Sequence, residues 1–132
     1  MTDDVVIPVA RQLEAYNARD IDAFMPWWAD DCEYHAFPGR LLARGAAAIR
    51  ERHVARFQEP NLHGRLLHRI VLGSLVIDHE TVTRTFADGP GEVDVVAIYE
   101  VVGGLIAKAW FQMGEPRLHV SPLPPGRQSP RP

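Results

Sequence analysis

The sequence has little cysteine and no excess of positive charge. Cys32 is the single cysteine among 132 residues, so no disulfide bond can form within the chain, which favours a reducing compartment and predicts a cytoplasmic protein. The formal net charge is −3, whereas a nucleic-acid-binding domain needs a basic surface that displaces counterions from the phosphates. We therefore expect no nucleic-acid partner.

Long apolar segments and cofactor motifs are also absent. No run approaches the roughly 18 apolar residues of a membrane-spanning helix, and Asp3 and Asp4 stand where a secretory signal would carry positive charge. No glycine-rich phosphate loop precedes a helix, and no histidine pair has the i, i+4 helical spacing of a zinc site. The sequence therefore predicts no membrane partner, no metal and no other cofactor.

The hydrophobic pattern predicts one domain that begins with helices and ends with strands. The expected helices cover residues 5–18, a short segment from Ile21 to Trp28 that the Asp30–Asp31 pair ends, and residues 45–58. The expected strands cover residues 32–37, 62–72, 75–86, 93–102 and 105–113. Helices followed by consecutive hairpins indicate an α+β fold, with three N-terminal helices packed on a mainly antiparallel sheet.

Alternation along the last two strands assigns their faces, because successive side chains of a strand point to opposite sides. One face is wholly apolar and should meet the helices: Val93, Val95, Ala97, Tyr99 and Val101, followed by Leu105, Ala107, Ala109, Phe111 and Met113. The opposite face is mixed and carries Val96, Ile98 and Trp110 among charges. A mixed face with a large aromatic is typical of subunit contacts, so we expect a homodimer through it. The alternative is an ordinary solvated sheet face.

The composition changes after residue 114. Six of the eleven prolines lie in the last 17 residues, where no apolar pattern recurs. Such a composition is typical of an extended or disordered segment. The chain is therefore divided into a folded domain, residues 1–114, and a proline-rich tail, residues 115–132.

Several short segments carry a resemblance to a known family. They are Ala15–Ile21, Trp28–Cys32, Pro38–Gly39, Gly45–Arg50 and Tyr99–Ile106. Their order and spacing resemble the SnoaL-like branch of the nuclear transport factor 2-like superfamily, which also contains ketosteroid isomerases, scytalone dehydratases and limonene epoxide hydrolases. The resemblance implies a cone, in which a curved sheet wraps on the helices around an apolar pocket, and a dimer. It implies no activity, since this fold hosts many chemistries.

The residues of a ketosteroid isomerase are not retained at the matching positions. The carboxylate base of that family falls on Ala36, its oxyanion tyrosine on Gln12 and its neutral aspartic acid near Ala97. Alanine cannot take or give a proton, and although the Gln12 amide could still donate a hydrogen bond, no base is left beside it. The sequence therefore argues against steroid isomerisation by that mechanism.

Two histidines and two tyrosines are the candidates for chemistry in the pocket. His53 shares the inward helical face of Ile49 and Phe57, and histidine is readily tuned as a base near neutral pH. His68 shares strand parity with an apolar stripe. Tyr16 matches a pocket position of the family, and Tyr34 shares strand parity with Ala36, on the side where the family keeps its catalytic acid. The alternative is that the histidines are structural and the tyrosines belong to the core.

The rest of the predicted pocket is mostly apolar. Its expected lining residues are Gln12, Trp28, Ala36, Phe57, Ala97, Tyr99, Phe111 and Met113. The segment Asp78-His79-Glu80 is not a compact triad, because on a strand His79 faces away from the two acids. We assign these three residues a solvated or subunit-contact role.

Two hypotheses of function follow. In the first, the chain binds a small, largely apolar, oxygenated compound and performs acid–base catalysis without a cofactor, such as dehydration, isomerisation or cyclisation. His53 would be the base, assisted by Tyr16, Tyr34 and His68, and His53→Ala should then abolish turnover while leaving the fold intact. In the second, the chain is a non-catalytic ligand-binding or dimerisation module.

Overall fold

The computed structural model describes residues 2–119, and of Thr2 and Asp3 it describes the backbone alone. Three α-helices, α1 to α3, span Val6–Ala18, Ile21–Phe24 and Ala46–Arg56, and two short 3-10 helices span Thr2–Val5 and Met25–Trp27. Seven strands, β1 to β7, span Trp28–Ala36, Arg40–Arg44, His63–Leu72, Leu75–Phe86, Gly89–Val102, Leu105–Met113 and Arg117–Leu118. The predicted α+β class is confirmed.

The strands form one curved, mixed sheet. Its order is β2-β1-β6-β5-β4-β3, with β7 beside β5. β1 and β6 run parallel, and every other described pair is antiparallel. The core lies between the inner face of this sheet and the helices, which contribute Val9, Phe24, Ile49 and Phe57.

The end of α1 is fixed to the start of β3 by side-chain hydrogen bonds. The Asn17 amide donates to the Gly64 carbonyl over 2.9 Å and accepts from the Gly64 N–H over 2.7 Å. The Arg19 guanidinium donates to the carbonyls of Glu59 and Pro60 over 2.9 and 2.7 Å. These bonds satisfy backbone groups that a loop would otherwise leave to water, and they hold α1 against the edge of the sheet.

The structure corrects the predicted path between α2 and α3. The second helix was expected to continue to the Asp30–Asp31 pair, but α2 ends at Phe24 and β1 already begins at Trp28. Proline has no N–H to donate, so Pro26 lies in a short 3-10 turn and the chain extends soon after it. Strand β2, which pairs with β1 as a hairpin, was not predicted from the sequence.

The predicted inner face of β5 is confirmed, since all five of its predicted side chains are buried. The prediction for β6 is wrong at its start. Val101 pairs with Ile106, whereas Glu100 pairs with Lys108, so Ala107 is an extra residue in the ladder. Such a bulge reverses the alternation, and Ile106 is completely buried while Leu105 is only half-buried.

The outer face of the sheet carries an apolar row. Cross-strand pairing aligns Ile70, Ile77, Ile98, Trp110, His35 and Leu41 across six strands. The imidazole of His35 stacks on the Trp110 indole with ring centroids 5.7 Å apart. Val96 lies on the same face and is 37% exposed. The three residues predicted for subunit contact thus lie on the outer face, and the homodimer itself stays a prediction.

The described start of the predicted tail lies against the sheet. In β7, Arg117 and Leu118 pair with Glu92 and Gly91 of β5, and the Arg117 guanidinium bonds to Asp94 and Glu92. A Cβ atom at Gly91 would collide with the Arg117 carbonyl, so this crossing requires glycine. The remainder of the predicted tail, residues 120–132, lies outside the described residues.

Candidate functional site

A cavity of about 230 Å³ opens between the helices and the inner face of the sheet. Its walls come from α1, α3 and strands β1, β2, β4, β5 and β6. Sites for drug-sized ligands usually measure about 300–1,000 Å³. The cavity therefore suits a compound at the small end of that class.

Most of the residues predicted for the pocket line this cavity. They are Gln12, Tyr16, Trp28, Tyr34, Ala36, His53, Ala97, Tyr99, Phe111 and Met113. Phe57 lies in the core instead, where its ring packs edge-on against Tyr16 with centroids 5.6 Å apart. Phe57 follows the last residue of α3 and is buried, but it does not line the cavity.

His68 does not join the other candidates. It is exposed and stacks on His79 across β3 and β4, with ring centroids 6.2 Å apart. The pairing register shifts between Leu66 and His68, so Leu67 is an extra residue in β3. This bulge turns His68 to the outer face, which is why simple alternation placed it wrongly in the pocket.

His53 lies in the cavity wall as a neutral ring. Its Nδ1 donates to the Ile49 carbonyl over 2.8 Å, which leaves Nε2 as the acceptor. Burial lowers the pKa of His53 to about 4, although the bond to Ile49 opposes the shift, and Arg56 and Arg52 lower it further. An imidazole with this pKa is a weak base at neutral pH. The structure thus favours a hydrogen-bonding role over the predicted role as the base.

Tyr16 and Tyr34 present phenols to the same cavity beside arginines. Burial raises the pKa of Tyr16 to about 12 and also raises the pKa of Tyr34, while Arg56 opposes both shifts. The Arg52 guanidinium lies over the Tyr34 ring, 5.0 Å from its centroid. Both phenols therefore stay protonated at neutral pH and can donate a hydrogen bond.

Gln12 uses its amide inside the protein. Its Nε2 donates to the Val9 carbonyl over 3.2 Å and to the Tyr99 hydroxyl over 3.3 Å. An amide nitrogen carries two hydrogens, so both are engaged. Gln12 therefore orients Tyr99 at this position, and the donor that the sequence analysis left open for a ligand is already taken.

Two acids of β4 point into the protein, contrary to the role predicted for them. Asp78 is completely buried, and its two oxygens accept hydrogen bonds of 2.7 and 2.9 Å from Arg69 of β3. Glu80 is 6% exposed and lines the cavity. His79 faces outward, as predicted. The sequence did contain a signal for this orientation. Asp78 and Glu80 share strand parity with Val76 and Val82, the two buried valines that flank them.

Glu80 has a strongly shifted pKa. Burial raises the pKa of Glu80 to about 7, Asp78 raises it further, and Arg69 opposes the shift. Within residues 2–119, no hydrogen bond reaches its carboxyl group. This carboxyl therefore exchanges a proton near neutral pH, and its oxygens are free to meet a ligand.

Most of the residues that line the cavity lie in a segment that matches a known protein family. The profile of the SnoaL-like domain matches residues 9–109. This chain belongs to the SnoaL-like domain family. No protein of curated function matches the SnoaL-like sequence significantly.

Solved structures with the same fold carry several names. An uncharacterized cystatin-fold protein from Novosphingobium aromaticivorans is 26% identical, with a TM-score of 0.75 over 81% of this chain and 96% of that one. An LEH-like epoxide hydrolase from M. tuberculosis is 16% identical, with a TM-score of 0.73 over 86% of this chain and 84% of that one. A Sinorhizobium meliloti protein provisionally named a polyketide cyclase is 22% identical, with a TM-score of 0.70 over 85% and 99%.

Residues 2–119 of the SnoaL-like domain contain neither a cluster of metal ligands nor a helix that could span a membrane. No three histidine, cysteine or acidic side chains in that range come together as metal ligands would. None of its helices in the same range combines the length and apolarity that crossing a membrane requires.

Proposed function

We propose that this SnoaL-like domain binds a small, largely apolar, oxygenated compound in the cavity and catalyses proton transfer on it without a cofactor. Glu80 is the proton acceptor in this proposal. The observation that carries it is a buried carboxyl group that lines the cavity, has no hydrogen-bond partner within residues 2–119 and has a pKa of about 7.

A base works best when its pKa lies close to the working pH, because it is then both available and strong enough. A strongly shifted group in a cavity is also a general indicator of an active site. Glu80 meets both conditions. The pKa of about 4 leaves His53 as an acceptor of a hydrogen bond from a ligand hydroxyl, and Tyr16 and Tyr34 are donors to a ligand oxygen.

The proposed step removes a proton from a carbon beside a carbonyl. The proton passes to Glu80, the electron pair of the C–H bond forms the carbon–carbon double bond of an enolate, and the π pair of the carbonyl moves to its oxygen, where a tyrosine hydroxyl stabilises the charge. Return of the proton from Glu80 to another atom of the enolate completes an isomerisation. In a substrate with a hydroxyl on the next carbon, the enolate expels this hydroxyl while Glu80 returns the proton to it, so that water leaves and a dehydration is complete. The names epoxide hydrolase and polyketide cyclase among the structural neighbours fit small oxygenated substrates.

A second candidate function is a non-catalytic module that dimerises through the outer sheet face. The observations that favour it are the modest cavity of about 230 Å³ and the apolar row around Ile98 and Trp110. In this case the protein would be a homodimer, and removal of Glu80 would change no chemistry.

Replacement of Glu80 separates the two candidates. We expect the protein to catalyse exchange of the α-hydrogens of small apolar ketones, such as tetralone and benzylacetone, for deuterium in heavy water. Glu80→Gln keeps the shape of the side chain but cannot accept the proton, so the exchange rate should fall by about 100-fold or more. NMR spectroscopy of the ketones measures the rate.

The matched control is Glu100→Gln, which removes the same charge from the outer face of β5 and should leave the rate unchanged. Equal rates for the native protein and Glu80→Gln would rule out Glu80 as the base. If the native protein catalyses no exchange with any ketone tested, the catalytic proposal gives way to the non-catalytic module.

A further inference from the structure

One end of the cavity is basic. Arg52 and Arg56 of α3, Arg40 of β2 and Arg84 of β4 all line it. Within the described residues a single carboxylate, Glu59, forms ion pairs with this group: it contacts Arg84 over 2.8 Å and Arg56 over 3.5 Å. The arginines therefore carry a surplus of positive charge that the carboxylates of residues 2–119 do not compensate.

Glu80, the acidic residue that lines the cavity, lies at a distance from this basic end. Glu80 and Arg84 are on the same face of β4, four residues apart, which corresponds to about 13 Å along a strand. Asp78 is a further two residues away from Arg84 and is already bonded to Arg69. The cavity wall formed by β4 therefore runs from an acidic end to a basic end.

Arg52 has a buried hydrogen-bond donor that no acceptor within residues 2–119 uses. Its guanidinium lies over the Tyr34 ring, and its Nε is buried without a hydrogen-bond partner. No ion pair within residues 2–119 includes it. Buried N–H groups are nearly always hydrogen-bonded in folded proteins, so an unpaired one in a cavity wall indicates a position where a ligand acceptor binds.

We propose that the compound bound in the cavity carries a carboxylate, which Arg52 binds together with Arg56. This inference rests on the proposed function, and it adds the chemical class of the ligand. The planar fork of a guanidinium matches the two oxygens of a carboxylate, and the hydroxyls of Tyr16 and Tyr34 lie beside the same arginines as further donors.

The charge distribution also fixes the orientation of the ligand. An ionised Glu80 repels a carboxylate, whereas the arginines attract it, so the acid group lies at the basic end. The apolar body then packs against Trp28, Tyr34 and Phe111, three rings that line the cavity. The reacting carbon of the ligand is thereby directed towards Glu80.

A pair of probes of equal shape tests the inference. Cinnamic acid is ionised at neutral pH, and cinnamamide is its neutral counterpart. Isothermal titration calorimetry should show that the native protein binds cinnamate at least tenfold more tightly than cinnamamide. Arg52→Gln should abolish this preference, and Arg52→Lys should keep part of it, because lysine retains the charge but not the fork.

The matched control is Arg65→Gln, which removes an exposed arginine of β3 that does not line the cavity and should keep the full preference. Equal binding of the two probes would overturn the carboxylate inference while leaving the small-molecule pocket intact. Binding of neither probe by the native protein would contradict the pocket itself. A tenfold preference that survives in Arg52→Gln would exclude Arg52 as the anchor.

Discussion

Replacement of Arg69 by leucine is expected to lower the free energy of unfolding by about 3–5 kcal/mol. The reason is the environment of Asp78, which is completely buried and whose two carboxylate oxygens both accept hydrogen bonds from Arg69. Leucine fills part of the space but leaves a buried carboxylate without a counter-charge. Urea unfolding of the native protein and the variant measures the difference.

The double variant Arg69→Leu, Asp78→Leu provides the decisive control. It removes both charges, so it should be much more stable than Arg69→Leu alone, since apolar residues can often replace a buried ion pair at little cost. Arg11→Leu breaks an exposed ion pair with Glu14 and should change stability by less than about 1 kcal/mol. A loss in Arg69→Leu as small as that in Arg11→Leu would show that Asp78 is solvated.

The ion pair matters for the site because it is part of the electrostatic environment of Glu80. Asp78 raises the pKa of Glu80, and Arg69 lowers it. The pair is rigid because two hydrogen bonds fix the guanidinium against the carboxylate. Burial remains the largest cause of the raised pKa of Glu80, and the Arg69–Asp78 pair adjusts this pKa through two opposing contributions.

Strand alternation and helical spacing each predicted part of the site. Tyr99 and Phe111 were assigned to the inner face of the sheet and His53 to the inward face of its helix, and all three line the cavity. A helix has a regular rotation per residue, so spacing alone fixes the face. On strands, one extra residue exchanges the two faces, which explains the errors at His68 and Ile106.

The protonation states could not be predicted from the sequence in the same way. His53 resembled a base and Glu80 a solvated acid because, in water, histidine titrates near neutral pH and glutamic acid well below it. Burial shifts the pKa of each in the direction that favours its neutral form. The two residues thereby exchange their expected roles, and only the three-dimensional packing reveals it.

The same two shifts predict an unusual dependence of stability on pH. The pKa of Glu80 rises from 4.5 to about 7 on folding, so the folded protein binds the proton more tightly and loses stability as the pH rises from 4.5 through 7. The pKa of His53 falls from 6.5 to about 4, so stability is lost as the pH falls from 6.5 towards 4. Each contribution amounts to about 3 kcal/mol, at about 1.4 kcal/mol per pKa unit.

Between pH 4.5 and 6.5 the contributions of Glu80 and His53 to the free energy of unfolding change in opposite directions. The native protein should therefore show a nearly constant free energy of unfolding in this range, and the value should decline as Glu80 finishes its titration near pH 7. Glu80→Gln should remove the decline and reveal the rise in stability due to His53, by about 2 kcal/mol between pH 4.5 and 6.5. His53→Gln should show the fall in the free energy of unfolding with rising pH that is due to Glu80. Urea unfolding at several pH values measures all three profiles. Identical profiles for the native protein and Glu80→Gln would mean that Glu80 titrates like a solvated acid, and the proposed base would then be an ordinary carboxylate at neutral pH.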